Sequence, residues 1–137
     1  MGEYTRRRNV NRGYMKLEVW NEAVGVFRWV YNLMEEIGVA DFKLRSQIVN
    51  AAQSISSNIA EGYCRRSVRE YLQFLSIALG SSGELLTRII GLKTLGAISE
   101  RSFDEFDARH YSIENKLIAL KKSLQAKERE GTWIETL

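Results

Sequence analysis

Apolar residues recur at alternating three- and four-residue steps over four long stretches of this chain, the spacing of one helix face. In the first stretch Leu17, Trp20, Val24, Phe27, Tyr31 and Met34 form one stripe, and Val19, Ala23, Val26, Val30, Leu33 and Ile37 form a second beside it. At about 100° per residue the two stripes cover about 200°, twice the arc that a surface helix needs to face one core. Helix 1, predicted over 17–37 and stopped by Gly38, therefore needs cover beyond the chain's own core. Helix 2 is predicted from an Asp41 cap to Glu61, with Leu44, Ile48, Ala52, Ile55 and Ile59 inward. Ser67-Val68-Arg69-Glu70 has capping-box spacing and opens helix 3. That helix closes at Gly96 and turns Leu72, Leu75, Leu79, Ser82, Leu86 and Ile89 inward. Helix 4 starts at Ser99 or Ser102, carries Phe103, Phe106, His110, Ile113, Leu117, Leu120 and Leu124 inward, and ends at Gly131.

Long helices with short connections pack as antiparallel neighbours, so the expected fold is all-α, an up-down-up-down four-helix bundle. Residues 1–15 lack periodicity and read as a flexible basic arm, 16–130 as the bundle, and 131–137 as a short tail. There is no proline to kink a helix. Gly80-Ser81-Ser82-Gly83 lies mid-helix, where each glycine costs about 1 kcal/mol relative to alanine, and this predicts close approach by a neighbouring helix. Helix 2 has no charged residue from Ser46 to Ala60, which suits a crowded setting better than open solvent. Its Asn50, Ser54, Ser57 and Asn58 are candidates for an interface between copies of the chain. Val26 and Trp29 of helix 1 join them: Trp29 falls on the polar face one turn after Gly25 and reads as an exposed anchor. The alternative is that Trp29 covers the tail residues Trp133, Ile134 and Leu137.

Composition narrows the setting. Cys64 is the sole cysteine, which excludes an internal disulfide and suits a reducing cytosol. No apolar run approaches the ~20 residues needed to span a bilayer, and no apolar segment follows Arg6, Arg7 and Arg8 as a signal peptide requires. A soluble cytoplasmic protein without a membrane partner is expected. Lys and Arg total 20 against 17 Asp and Glu, a small excess, so placement matters more than sum. In the expected topology Arg6, Arg7, Arg8, Arg12, Lys16, Arg65, Arg66, Arg69, Lys121 and Lys122 share one pole with Lys127 and Arg129. They are the candidate nucleic-acid contacts. Glu18, Glu61, Glu70, Glu128 and Glu130 dilute the same pole, and ordinary solvated charge is the competing reading. Tyr4 and Tyr14 flank the arm's arginines and could stack on bases.

Candidate chemistry is sparse. Glu61 stands at a helix C-terminus, where the macrodipole disfavours an anion, and Arg65 one turn on, or Arg66, would pair with it structurally. Asp107 and His110 have the spacing of half a dimetal site, but one such pair is insufficient and a core-edge histidine is expected. Cys64 beside Arg65 and Arg66 has no partner base. Phosphate-binding glycine loops, nucleophile elbows and zinc spacings are absent from the sequence. The expectation is no enzyme activity, no cofactor and no metal.

Leu17-Glu18-Val19-Trp20, then Ser54-Ile55-Ser56-Ser57-Asn58-Ile59-Ala60-Glu61-Gly62, then Phe74-Leu75, Ala78-Leu79-Gly80-Ser81 and Glu84 resemble, in order, the motifs of the 23S rRNA-intervening sequence proteins. The likeness covers about residues 14 to 124. It implies a four-helix bundle assembling into homopentameric rings, and kinship with the accessory variability proteins of diversity-generating retroelements. Those bundles bind nucleic acid and associate with a reverse transcriptase. The resemblance thus implies a non-enzymatic accessory protein whose partners are itself, RNA or DNA, and a reverse transcriptase. A structural or protein-interaction module encoded in a ribosomal RNA intervening sequence is the alternative.

Overall fold

The computed structural model describes residues 4–134, which contain helices and no strand. A short 3₁₀ helix spans Val10–Lys16, followed by α1 (Glu18–Ile37), α2 (Phe42–Cys64), α3 (Val68–Thr94) and α4 (Glu100–Glu130). The starts are chemically marked. The Asp41 carboxylate accepts from the Leu44 amide at 2.9 Å, the Ser67 hydroxyl from Glu70 at 3.4 Å, and Ser99 from Ser102 at 3.1 Å. Each satisfies one amide that a helix N-terminus would otherwise leave open. Gly38 and Gly131 end α1 and α4 in the left-handed conformation, at φ +61° and +67°.

The contacts of α3 with α2 and with α4, and of α1 with α4, run in antiparallel order. Along α2 and α3 the partners are Gln47 with Arg88, Ser54 with Ser81, and Gly62 with Tyr71. Ser82 and Lys93 of α3 meet His110 and Glu100 of α4. Glu22 and Trp29 of α1 meet Ser112 and Phe106 of α4, and Glu35 pairs with Arg45 across α1 and α2. The shared core contains Val30, Ile48, Ile55, Leu75, Ile89, Phe106 and Leu117, all fully buried.

Several expectations are corrected. The buried stripe of α3 is Tyr71, Leu75, Ala78, Ser82, Leu85, Ile89 and Leu92, so Leu72, Leu79 and Leu86 lie at its margin. Leucine is plentiful on both sides of that helix, and the pattern fixes its rotation poorly. α2 continues three residues beyond Glu61, to Cys64. Gly80 and Gly83 are exposed with nothing within 4 Å of a built Cβ, so no neighbour in this chain approaches them. The close approach is at Gly62 instead, where a Cβ would stand 2.7 Å from that of Phe74. Val26, a candidate contact between copies, is 2 % exposed and belongs to the chain's own core. Trp29 is half-buried rather than open: its ring lies 5.8 Å from that of Phe106, tilted 36°, and closes the α1–α4 contact. It does not cover the tail, where Trp133 packs on Tyr71 at 6.2 Å; Leu137 is outside the described residues.

One sequence expectation about membranes also changes. Among the described residues α3 is long and apolar enough to cross a bilayer by length and composition, with a mean hydropathy of 1.2 over its best window. A third of that window, 33 %, is buried inside the chain.

Candidate nucleic-acid interface

The segment before α1 is not bare chain. Asn9 caps the 3₁₀ helix by accepting from the Arg12 amide at 3.2 Å, and Leu17 donates to the Tyr14 carbonyl at 3.0 Å. Asn21 of α1 ties it down through amide bonds to the Met15 and Leu17 carbonyls at 3.0 and 2.9 Å. The Cys64 thiol donates to the Asn11 carbonyl at 3.3 Å. Burial pushes that thiol up from its ordinary value, with the opposing pull of Arg66 the smaller effect.

Aromatic rings hold this end of the molecule together. Tyr4 and Tyr14 each meet Trp20 edge-on at 5.2 Å. Tyr14 then meets Tyr63 at 6.1 Å, Tyr63 meets Tyr71 at 6.0 Å, and Tyr71 meets Trp133 at 6.2 Å. The six rings form one continuous ladder from the N-terminal segment through α1, α2 and α3 to the tail. Edge-to-face geometry is the favoured aromatic arrangement, so the ladder adds cohesion beyond simple burial. Of the two rings that were candidates for stacking on bases, Tyr14 is packed between Trp20 and Tyr63, whereas Tyr4 stays 51 % exposed. Burial pushes the Tyr71 phenol well above its ordinary value, and Tyr63 and Cys64 push the same way.

Around the ladder the basic residues divide into two groups. Arg8, Arg12 and Lys16 line a concavity of about 510 Å³ with Asn9, Val10, Gly13 and Tyr63. Arg69 and Lys121 line a second, of about 320 Å³, between α3 and α4, with Gln73, Gln125 and Glu128. Lys122 is exposed on α4, and Arg6 and Arg7 are exposed ahead of the 3₁₀ helix. Arg65 is held by two carboxylates. It reaches Glu61 at 3.0 Å and Glu70 at 3.3 Å, and its guanidinium lies 5.1 Å from the centre of the Phe74 ring. The Glu61 bond, first, holds Arg65 more firmly charged than usual. Two carboxylates already neutralise it, so Arg65 ties the α2–α3 corner and contributes little positive field. Arg66 makes that corner at φ +62° and stacks over Tyr63 at 5.3 Å.

The uncharged face of α2 borders α3. Ser54 and Ser81 share a hydrogen bond of 2.8 Å, and Asn58 donates to the Ser54 hydroxyl at 2.9 Å and to its carbonyl at 2.7 Å. Ser54 and Asn58 thus spend their polar groups inside the chain, whereas Asn50 and Ser57 stay exposed. Asn50 also lines a shallow, largely apolar depression of about 340 Å³ with Tyr31, Phe42, Arg45, Ser46 and Val49.

His110 is fully buried. Its Nε2 lies 2.7 Å from the Ser82 carbonyl and its Nδ1 3.1 Å from Glu114. Asp107 is exposed and takes no part. Among the described residues no three metal-ligating side chains converge.

Two residues of the pole escaped sequence reasoning. Tyr63 is central to both ladder and concavity, and its signal was an aromatic directly after Gly62 and ahead of the Arg65-Arg66 pair. Gly13 lies so close against Tyr63 that a Cβ would collide with the phenol; only an aperiodic glycine marked it.

Comparison with curated proteins returns no match. A family model described as 23S rRNA-intervening sequence protein matches residues 15–119 of the chain.

Proposed function

The chain belongs to the 23S rRNA-intervening sequence protein family, and from that premise we propose that it is a non-enzymatic, homo-oligomeric accessory protein that binds nucleic acid through its basic pole. The supporting observation is the pair of cationic concavities, one at Arg8, Arg12 and Lys16 and one at Arg69 and Lys121, at the same end of the molecule. Cations held on a scaffold of packed rings contact phosphates without a large ordering cost. No helix offers a base-reading arrangement, so binding is indifferent to sequence and steep in salt.

In this reading α1 to α4 are an up-down-up-down bundle, and copies assemble into a ring, five-membered by family resemblance. Ring closure brings several basic poles together and strengthens the field. The faces joining copies are the exposed part of α2, with Asn50 and Ser57, and the apolar margin of α1, where Tyr31 is 45 % exposed. A reverse transcriptase is the proposed protein partner by kinship with retroelement accessory proteins, and the setting is cytoplasmic, which suits a chain with one cysteine. Electrophoretic mobility of RNA and DNA with the purified protein at about 50 mM and about 200 mM salt tests the reading. Binding at the lower salt that fades at the higher is expected, and none at either salt leaves the interaction-module alternative.

A further inference from the structure

One ring at the pole is left open. Tyr4 ends the aromatic ladder with 51 % of its surface exposed. Its one ring contact among the described residues is with Trp20, at 5.2 Å and 88°. Perpendicular rings cover at most one face of each other, so Tyr4 retains a face for a further ring. The inner rungs are more crowded. Tyr14 lies between Trp20 and Tyr63, and Tyr63 meets Tyr14 and Tyr71 and also carries the Arg66 guanidinium.

The backbone that bears Tyr4 is held in a turn by nearby side chains. The Arg7 amide donates to the Thr5 hydroxyl at 3.3 Å. Arg12 Nη1 donates to the same hydroxyl at 3.3 Å and to the Arg7 carbonyl at 3.2 Å. Arg8 Nη1 donates to the Thr5 carbonyl and, at 3.2 Å, to that of Arg7. Arg8 and Arg12 are thus engaged in shaping the turn. The side chains of Arg6 and Arg7 are exposed and make no hydrogen bond or ion pair among the described residues. Two cations therefore stand two and three residues from an open ring, on a segment that is already ordered.

An open aromatic face beside uncommitted guanidinium groups matches a nucleotide strand. The ring takes the flat face of a base, and the arginines take phosphates on either side of it. An apolar peptide would cover the ring and leave both cations unanswered. The base must be unpaired, because paired bases are stacked on their neighbours within a duplex. Ring and cations are placed before the strand arrives, which lowers the ordering cost of binding.

We propose that Tyr4 stacks on an unpaired base while Arg6 and Arg7 contact the flanking phosphates. The pole then takes up single strands through base and backbone, and duplexes through backbone alone. This rests on the nucleic-acid reading above and adds the class of strand.

The test measures affinity of the full chain for three ligands of one length. They are a single-stranded oligonucleotide, the same backbone with abasic sites throughout, and the duplex. The base-bearing strand should bind roughly tenfold tighter than the abasic one, the scale of one stacked base. Tyr4→Ala should close that gap and leave the abasic strand and the duplex unchanged, whereas Tyr4→Phe keeps the ring and should keep the gap. Arg6→Gln with Arg7→Gln should weaken all three ligands and also keep it. Equal affinity of the intact protein for the base-bearing and abasic strands overturns stacking and leaves phosphate binding by the pole standing. A gap that survives Tyr4→Ala overturns the assignment to Tyr4, and so does a loss shared equally by the abasic strand and the duplex. A gap lost in Tyr4→Phe would assign the contact to the phenol hydroxyl and overturn stacking. Binding of none of the three overturns this inference and the nucleic-acid reading together.

Discussion

Gly62 packs so tightly on Phe74 that a Cβ at position 62 would stand 2.7 Å from the phenylalanine Cβ and 3.0 Å from Cδ1 of Tyr71. Helix propensity alone favours alanine over glycine by about 1 kcal/mol. The contact reverses that preference, because neither obstructing atom is the far end of a flexible chain. Gly62→Ala is expected to lower stability by about 1–3 kcal/mol in urea unfolding. An equally stable variant would mean that α2 and α3 are free to separate there.

The glycines of α3 carry the opposite sign. Alanine at Gly80 or Gly83 meets open space, so each substitution should stabilise the isolated fold by about 0.5–1 kcal/mol. If copies of the chain approach each other over this bare stretch, the same variants loosen the assembly while each subunit becomes more stable. Sedimentation velocity beside urea unfolding separates the two effects. Greater stability with unchanged assembly would remove the Gly80–Gly83 face from the interface.

Trp29→Ala should act on folding more than on association. The ring is half-buried against Phe106, so its loss should fall below the ~3–5 kcal/mol of a fully buried aromatic, at about 2 kcal/mol. Thermal unfolding checks the stability term, and light scattering checks that subunit number is unchanged.

These sites show what the sequence could and could not convey. The starts of α2, α3 and α4 and most inward positions were legible, because Asp41, Ser67 and Ser99 cap where their side chains permit and Ile48, Ile55 and Ile59 recur at helical spacing; the 3₁₀ helix at Val10–Lys16 was not. The rotation of α3 was not legible, since Leu72 and Leu75 are equally apolar and only the neighbours decide between them. The hollow at Arg12 and Lys16 was half visible. The charges stood in the sequence, but the docking of residues 10–16 on Tyr63 depends on ring contacts between residues nearly fifty positions apart. Periodicity carries no information about such contacts.

Alkaline pH should destabilise the protein. Burial raises the Tyr71 phenol and the Cys64 thiol above ordinary values of 10.0 and 9.0, so the folded chain retains protons that the unfolded chain has released. Their contribution is whole below about pH 8 and is lost as pH climbs past the unfolded values toward the folded ones. Urea midpoints at about pH 8 and about pH 10.5 should therefore diverge, and Tyr71→Phe should narrow the gap. A midpoint that holds steady across that range would contradict the burial of both groups.

Salt dependence should distinguish cations that face a ligand from those already spent. Each phosphate neutralised contributes a slope in log K against log salt of about −0.9 on duplex DNA and −0.7 on single strands. Arg69→Gln with Lys121→Gln should flatten the slope. Arg65→Gln should leave it nearly unchanged and loosen the α2–α3 corner, since Glu61 and Glu70 already hold that guanidinium. A flattening from Arg65→Gln as large as from the other pair would mean that Arg65 exchanges its carboxylates for phosphate.

The aromatic ladder also gives the molecule a built-in optical probe. Of the three tryptophans, Trp20 and Trp133 are rungs beside the cationic surface, while Trp29 lies farther along the helices against Phe106. Indole emission responds to changes in nearby charge and solvent, so an anion arriving at the pole is reported by two of the three emitters without any attached dye. The Trp29→Phe variant would confine the signal to that end. Because the ladder gathers Tyr4, Tyr14 and Trp133 at that surface, a bulky dye attached near any of them would crowd it, and the unlabelled chain is the preparation on which to follow binding.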